Sequence, residues 1–195
     1  NKCMVLKELE DYHWFPSVLR KYQMEFIGIL ASKWRLYDRV VDIIGDDLKK
    51  HSINEIEDLC SGSGYPAIFV HNNLAKHGLT TILTDKYPQK AENRADIYYH
   101  PEANDINNLK ISSQKYYTMY NAFHHFETKD QKEMLRKVIN SQGQMLIVEI
   151  VQPTLLNFIL VTLASTFGVL ISFPMIRPFE WKRLFLTYIF PVNIL

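Results

Sequence analysis

Apolar residues along this chain change their spacing twice, and each change marks a different kind of structure. From Val18 through Leu19, Tyr22, Phe26 and Ile29, and again from Trp34 through Leu36, Val40, Val41, Ile44 and Leu48, they recur at helical intervals, with Ser17 able to cap the first run. A helical N-terminal part over residues 1–52 is expected. Over residues 53–150 short apolar runs alternate with helical patterns, including residues 128–140, where Leu135 and Val138 should face inward while Lys129, Lys132, Glu133 and Arg136 stay in water. Such alternation predicts an α/β fold built on a mostly parallel sheet. Residues 151–195 form the third part. Residues 150–176 carry no charge, and Arg177, Lys182 and Arg183 follow closely. Residues 155–173 are long enough to span a bilayer, but Asn157, Thr162, Ser165, Thr166, Gly168 and Ser172 dilute their apolar character. A buried helical insertion or lid is the leading expectation, with a membrane-surface or dimer contact, or a spanning helix, as the alternatives.

The chemistry concentrates where the first short run ends. Ile56-Glu57-Asp58-Leu59 leads into Cys60-Ser61-Gly62-Ser63-Gly64, Pro66 opens a helical pattern, and Thr80-Thr81-Ile82-Leu83-Thr84 ends at Asp85. Between a parallel strand and a helix, Gly62 and Gly64 permit positive φ and let a ligand approach bare backbone. The amides at the start of the helix favour an anionic group, and Pro66 suits a first-turn position that needs no N–H. Asp85 would reach the same crevice and accept bonds from two ribose hydroxyls. Gly62-x-Gly64-x-x-Ala67 also satisfies the dinucleotide fingerprint, with an acid roughly 20 residues on, so an NAD-dependent oxidoreductase is one reading. Asp58 argues for another, because a carboxylate before the turn repels a pyrophosphate but suits a cofactor with a positively charged amino-acid tail.

Taken together, these segments resemble the class I S-adenosylmethionine-dependent methyltransferases. Asp58, Gly62 and Gly64 match the first motif of that family, with Cys60 where a glycine is common, and Thr84-Asp85-Lys86-Tyr87-Pro88 carries the acid of the second. Ala103-Asn104-Asp105-Ile106 resembles the loop after the third strand, whose acid lies near the adenine. Tyr117 to Phe126 resembles the fourth strand and a histidine-rich exit loop, and Gly143 to Glu149 the fifth strand. The resemblance implies S-adenosylmethionine as cofactor, held by Asp58, Cys60, Gly62, Gly64, Asp85, Lys86 and Asp105, with Asn121 and Ala122 on the methyl-transfer side. It also implies a Rossmann-like, doubly wound sheet with helices on both faces, and the uncharged stretch after the fifth strand adds the expectation of a small, rather apolar acceptor. His124 and His125 are the candidate bases, and Tyr12, His13 and Trp14 the candidate acceptor contacts. The family's sheet has seven strands, and the last is expected to be missing by residue 195: either the chain is cut short, or the fold is trimmed and leaves an edge that a homodimer would cover.

Composition narrows the partners. With 22 basic and 21 acidic residues the net charge is +1, which provides no broad basic field for long nucleic acid. Cys3 and Cys60 make neither a metal pattern nor a disulfide framework, so a reducing, cytoplasmic compartment is expected. Adjacent histidines point apart in extended chain and no further ligands stand at metal spacing, so no metal site is expected. A non-catalytic, membrane-associated interaction protein is the remaining alternative, motivated by residues 150–176.

Overall fold

The computed structural model describes residues 35–74, 78–86, 94–102, 109–150 and 179–185, together with Pro16, Val18, Leu160, Leu163 and Phe167. The chain divides into two compact units: residues 1–6 with 37–150, and residues 7–36 with 151–195. The first contains the sheet. Its elements run α1 (Asp38–Lys50), β1 (Glu55–Leu59), α2 (Tyr65–Asn73), β2 (Thr80–Thr84), β3 (Ile97–Tyr99), β4 (Tyr116–Tyr120), a 3-10 turn (Phe123–His125), α3 (Thr128–Asn140) and β5 (Gln144–Val148). The five strands lie in the order β3-β2-β1-β4-β5 and every pair is parallel. This is an α/β Rossmann-like fold. The helix α1, which apolar periodicity assigned to the N-terminal part, belongs to the same unit as the sheet.

Strand periodicity explains how both faces are covered. On β4, Tyr117 and Met119 pack with Leu59 of β1 and Met134 of α3. The alternate residues serve the other face: the Tyr116 hydroxyl donates to Asp47 of α1 at 2.8 Å, and the Tyr120 ring meets Tyr37 edge-on at 5.6 Å. Because successive side chains of a strand point to opposite faces, α1 and α3 lie on opposite sides. All five residues of β4 are buried. Such a strand reads as continuous apolar and aromatic sequence, as parallel strands between two helical layers do.

Each helix has a local reason. In α1 the buried Val40, Ile44 and Leu48 recur every fourth residue, Asp38 lies in the first turn and Lys49 and Lys50 in the last, matching the helix dipole. In α3 the inward positions are Met134 and Val138. Leu135, expected inside, is 39% exposed, and Ile139 is 72% exposed. Val138 faces inward as expected, and Met134, four residues before it, takes the inward place expected of Leu135. At the N-terminal ends of the strands, Lys115 Nζ lies 2.7 Å from Glu55 and 2.9 Å from Glu57, neutralising two acids that share one face of β1.

In the second unit, α4 (Trp181–Leu184) follows a T-shaped contact between Phe179 and Trp181, with ring centroids 5.2 Å apart. Trp181 is exposed, as are Leu160, Leu163 and Phe167. Among the described residues no helix is long and apolar enough to cross a membrane. Most of residues 150–176, on which the lid and membrane-surface expectations rest, lie outside the described residues.

Candidate functional site

Chain order and sheet order part company between β1 and β4. From β1 the chain steps outward through β2 to β3, then returns to the other side of β1 as β4. The loops leaving the carboxyl ends of β1 and β4 therefore diverge to opposite faces, and the gap between them is where open α/β sheets take their ligands. Both loops begin in the left-handed region on a residue other than glycine: Cys60 has φ +56° and Asn121 has φ +50°. For Cys60 this conformation costs about 1–2 kcal/mol, whereas asparagine adopts it more readily; Arg35, Ser52 and Gln142 adopt it elsewhere in the chain.

A mesh of hydroxyls shapes the β1 loop. Ser61 Oγ and Thr84 Oγ1 each donate to the Asp58 carbonyl at 2.9 Å, filling both lone pairs of one oxygen. The Thr84 N–H donates to Ser61 Oγ at 3.1 Å, and the Ser61 N–H to the Thr84 carbonyl at 2.9 Å. With the ends of β1 and β2 locked together, the chain turns through Gly62 (φ +52°) and Gly64 (φ +74°) into α2, with Pro66 in its first turn.

The two glycines do different work. A Cβ on Gly64 would stand 2.6 Å from Leu83 Cδ1, so that position is fixed by packing. A Cβ on Gly62 would meet nothing within 4 Å, so there the bare backbone borders open space. Both backbone polar groups of Gly62 reach neighbouring strand ends: its N–H donates to Asp85 Oδ2 at 2.9 Å, and its carbonyl accepts from the Tyr99 hydroxyl at 2.7 Å. Burial raises the Tyr99 phenol above its ordinary range, and the negative charges of Asp85 and Asp58 add to this, so the hydroxyl stays a donor.

Asp58 lies deeper than the spacing suggested. Its side chain is buried, and Thr118 Oγ1 of β4 donates to Oδ1 at 2.7 Å, bridging the two strands at the switch. Burial raises its carboxyl to about 7, opposed by the Thr118 hydrogen bond and assisted by the charge of Asp85. It shapes the turn and tunes its electrostatics from within the sheet.

On the β4 side, the Asn121 N–H donates to the Val148 carbonyl and Asn121 Oδ1 accepts from the Ile150 N–H, both at 2.8 Å, bracing β4 against the end of β5. Asn121 Nδ2 also donates to the Tyr37 hydroxyl at 3.4 Å; burial raises that phenol to about 12, against the pull of this bond. Ala122 is buried in the core cluster against which Cys60 packs. His124 and His125 sit in the 3-10 turn with ring centroids 4.2 Å apart, and His124 Nδ1 lies 2.6 Å from Glu149 Oε2.

Of the residues expected at the site, the fold brings Asp58, Cys60, Gly62, Gly64, Asp85, Asn121, Ala122, His124 and His125 to the carboxyl edge of β1, β2 and β4. Lys86 is exposed beside Asp85. Asp105, Tyr12, His13 and Trp14 lie outside the described residues. Sequence reasoning passed over Ser61, Thr84, Tyr99, Thr118 and Glu149. Their signal was present but faint: each ends, or stands within three residues of the end of, a strand on this edge. Among the described residues no group of three or more His, Cys, Asp or Glu side chains could hold a metal ion. The chain matches no family model and no curated protein.

Proposed function

We propose that this chain is an S-adenosylmethionine-dependent methyltransferase acting on a small acceptor. The observation that carries this reading is Gly62. Its backbone is bare, left-handed and bordered by open space, and its amide rests on the carboxylate at the end of the adjacent strand, beside the switch point. A nucleoside laid along that backbone puts its vicinal ribose hydroxyls near Asp85, a carboxylate able to accept two charge-assisted bonds.

Gly62 and Asp85 would hold the cofactor, with Cys60 and Lys86 flanking them and Gly64 setting the turn by its packing. Asp85 keeps the local potential negative, and Asp58 adds to it as it ionises through about pH 7, which suits a cationic sulfonium and its ammonium tail better than a pyrophosphate. When bound, the cofactor supplies a methyl group already activated on sulfur, so the protein's task is alignment and exclusion of water. Asn121 and Ala122 border the same gap from β4, with His124 and His125 in the turn beyond.

Calorimetric titration with S-adenosylhomocysteine and with NAD tests the proposal. Binding of the adenosyl ligand is expected, weakened by about 1–3 kcal/mol in Asp85→Ala through loss of charge-assisted bonds. Tight binding of NAD with no response to S-adenosylhomocysteine would overturn it.

A further inference from the structure

We infer, building on the methyltransferase reading, that Glu149 is a positioning residue that holds His124 in the tautomer of a general base, and that the acceptor is a hydroxyl compound. Glu149 directly follows β5, whose last residue Val148 is in register with Tyr120 at the end of β4. The loops leaving these two strands therefore start level. Glu149 uses both oxygens across them: Oε1 accepts from the Phe123 N–H at 2.9 Å, and Oε2 faces His124 Nδ1 at 2.6 Å.

An ionised carboxylate only accepts hydrogen bonds, so the hydrogen of the neutral imidazole belongs on Nδ1 and its lone pair on Nε2. An isolated imidazole places its proton mostly on the other nitrogen, so a carboxylate is needed to hold this form. The second Glu149 contact, at Phe123, fixes the carboxylate, and the His125 ring packs against the His124 ring with centroids 4.2 Å apart. Gln131 Nε2, donating to the Phe123 carbonyl at 2.9 Å, ties the same turn to α3. His124 is half exposed whereas Glu149 is more covered, with side chains 48% and 28% accessible. The ring is thus presented at the edge and its partner is held behind it.

An oriented base implies a nucleophile that arrives protonated. An amine can shed its extra proton to solvent before it binds and then attacks with its own lone pair, and a carboxylate is already ionised at neutral pH, but an alcohol or phenol oxygen gains nucleophilicity as its proton leaves in the reaction. The acceptor O–H gives its proton to His124 Nε2 while an oxygen electron pair forms the new O–CH3 bond. The methyl–sulfur bond breaks with its electrons going to sulfur, which leaves as a neutral thioether. The imidazolium, paired with Glu149, then returns the proton to solvent.

Nitrogen-15 NMR of the imidazoles at alkaline pH tests the positioning directly, without any cofactor. The wild-type protein should show His124 as the Nδ1–H tautomer, and Glu149→Ala should return it to Nε2–H. With labelled S-adenosylmethionine and phenol or benzyl alcohol as probe, Glu149→Ala should lower kcat at least about tenfold and displace the pH–rate profile. KM for S-adenosylmethionine should stay unchanged. Glu149→Gln keeps an acceptor for the Phe123 N–H and should still lose rate, which separates base positioning from collapse of the turn. An Nε2–H tautomer in the wild type, an unmoved pH profile, or methylation of benzylamine with neither hydroxyl probe accepted would overturn the inference. If S-adenosylhomocysteine fails to bind, the methyltransferase reading falls while the tautomer measurement still decides the role of Glu149.

Discussion

Asp58 shows how one buried side chain couples the site to pH. An aspartate in an unfolded chain titrates at about 3.9, whereas burial raises Asp58 in the folded protein to about 7. Between these values the folded state binds the extra proton, so this residue's contribution to stability is fully present below about 4 and is lost as pH rises through about 7. The span corresponds to a contribution on the order of 4 kcal/mol at most. Asp58→Asn keeps an oxygen for the Thr118 hydroxyl and removes the ionisable group. The difference in unfolding free energy, variant minus wild type, should therefore rise between pH 4 and pH 7 and level off above, as measured by urea denaturation at successive pH values. A difference independent of pH would mean that Asp58 stays ionised in the fold, with its charge compensated there.

The turn from β1 into α2 separates residues that make the fold from residues that leave room for a ligand. Gly64→Ala forces a methyl group to within 2.6 Å of Leu83 in a left-handed backbone, so conformational strain and overpacking add to about 2–5 kcal/mol of lost stability. Gly62→Ala meets no neighbour within 4 Å, so only the conformational cost of about 1–2 kcal/mol applies. Thermal or urea unfolding should rank the two variants in that order, and S-adenosylhomocysteine binding should fail in Gly62→Ala even where the protein remains folded. Undiminished binding by that variant would move the ligand away from this backbone. The turn was readable from sequence because its information is local: glycine spacing, a proline in the first helical turn and an acid at each strand end. The stripe on α3 was less so. Leu135 and Met134 are both apolar, and periodicity without the position of the sheet does not say which of two adjacent rows turns inward.

Across the sheet, what the sequence withheld was pairing between distant segments. The alternation of strand and helix foretold parallel strands, and the strand order follows the doubly wound pattern. Yet Thr118 on Asp58, Tyr99 on Gly62 and Glu149 on His124 join residues 60, 37 and 25 positions apart. No spacing rule carries such contacts, because they depend on which strand ends become neighbours. The same topology sets where the unit opens first. β1 and β4 are hydrogen-bonded on both sides and β4 is buried on both faces, whereas β3 is a three-residue strand at the edge and every residue of β5 is only half-buried. Amides of β1 and β4 should therefore exchange with solvent only through global opening, with free energies equal to that from urea unfolding. Those of β3 should exchange through smaller local openings. Saturating S-adenosylhomocysteine should then slow exchange chiefly over residues 59–64 and 121–125, where the two loops diverge, and leave the β3 openings nearly unchanged. Protection of β3 equal to that of β4 would show that the sheet opens as a single unit, and ligand protection confined to other segments would place the ligand outside the gap between β1 and β4.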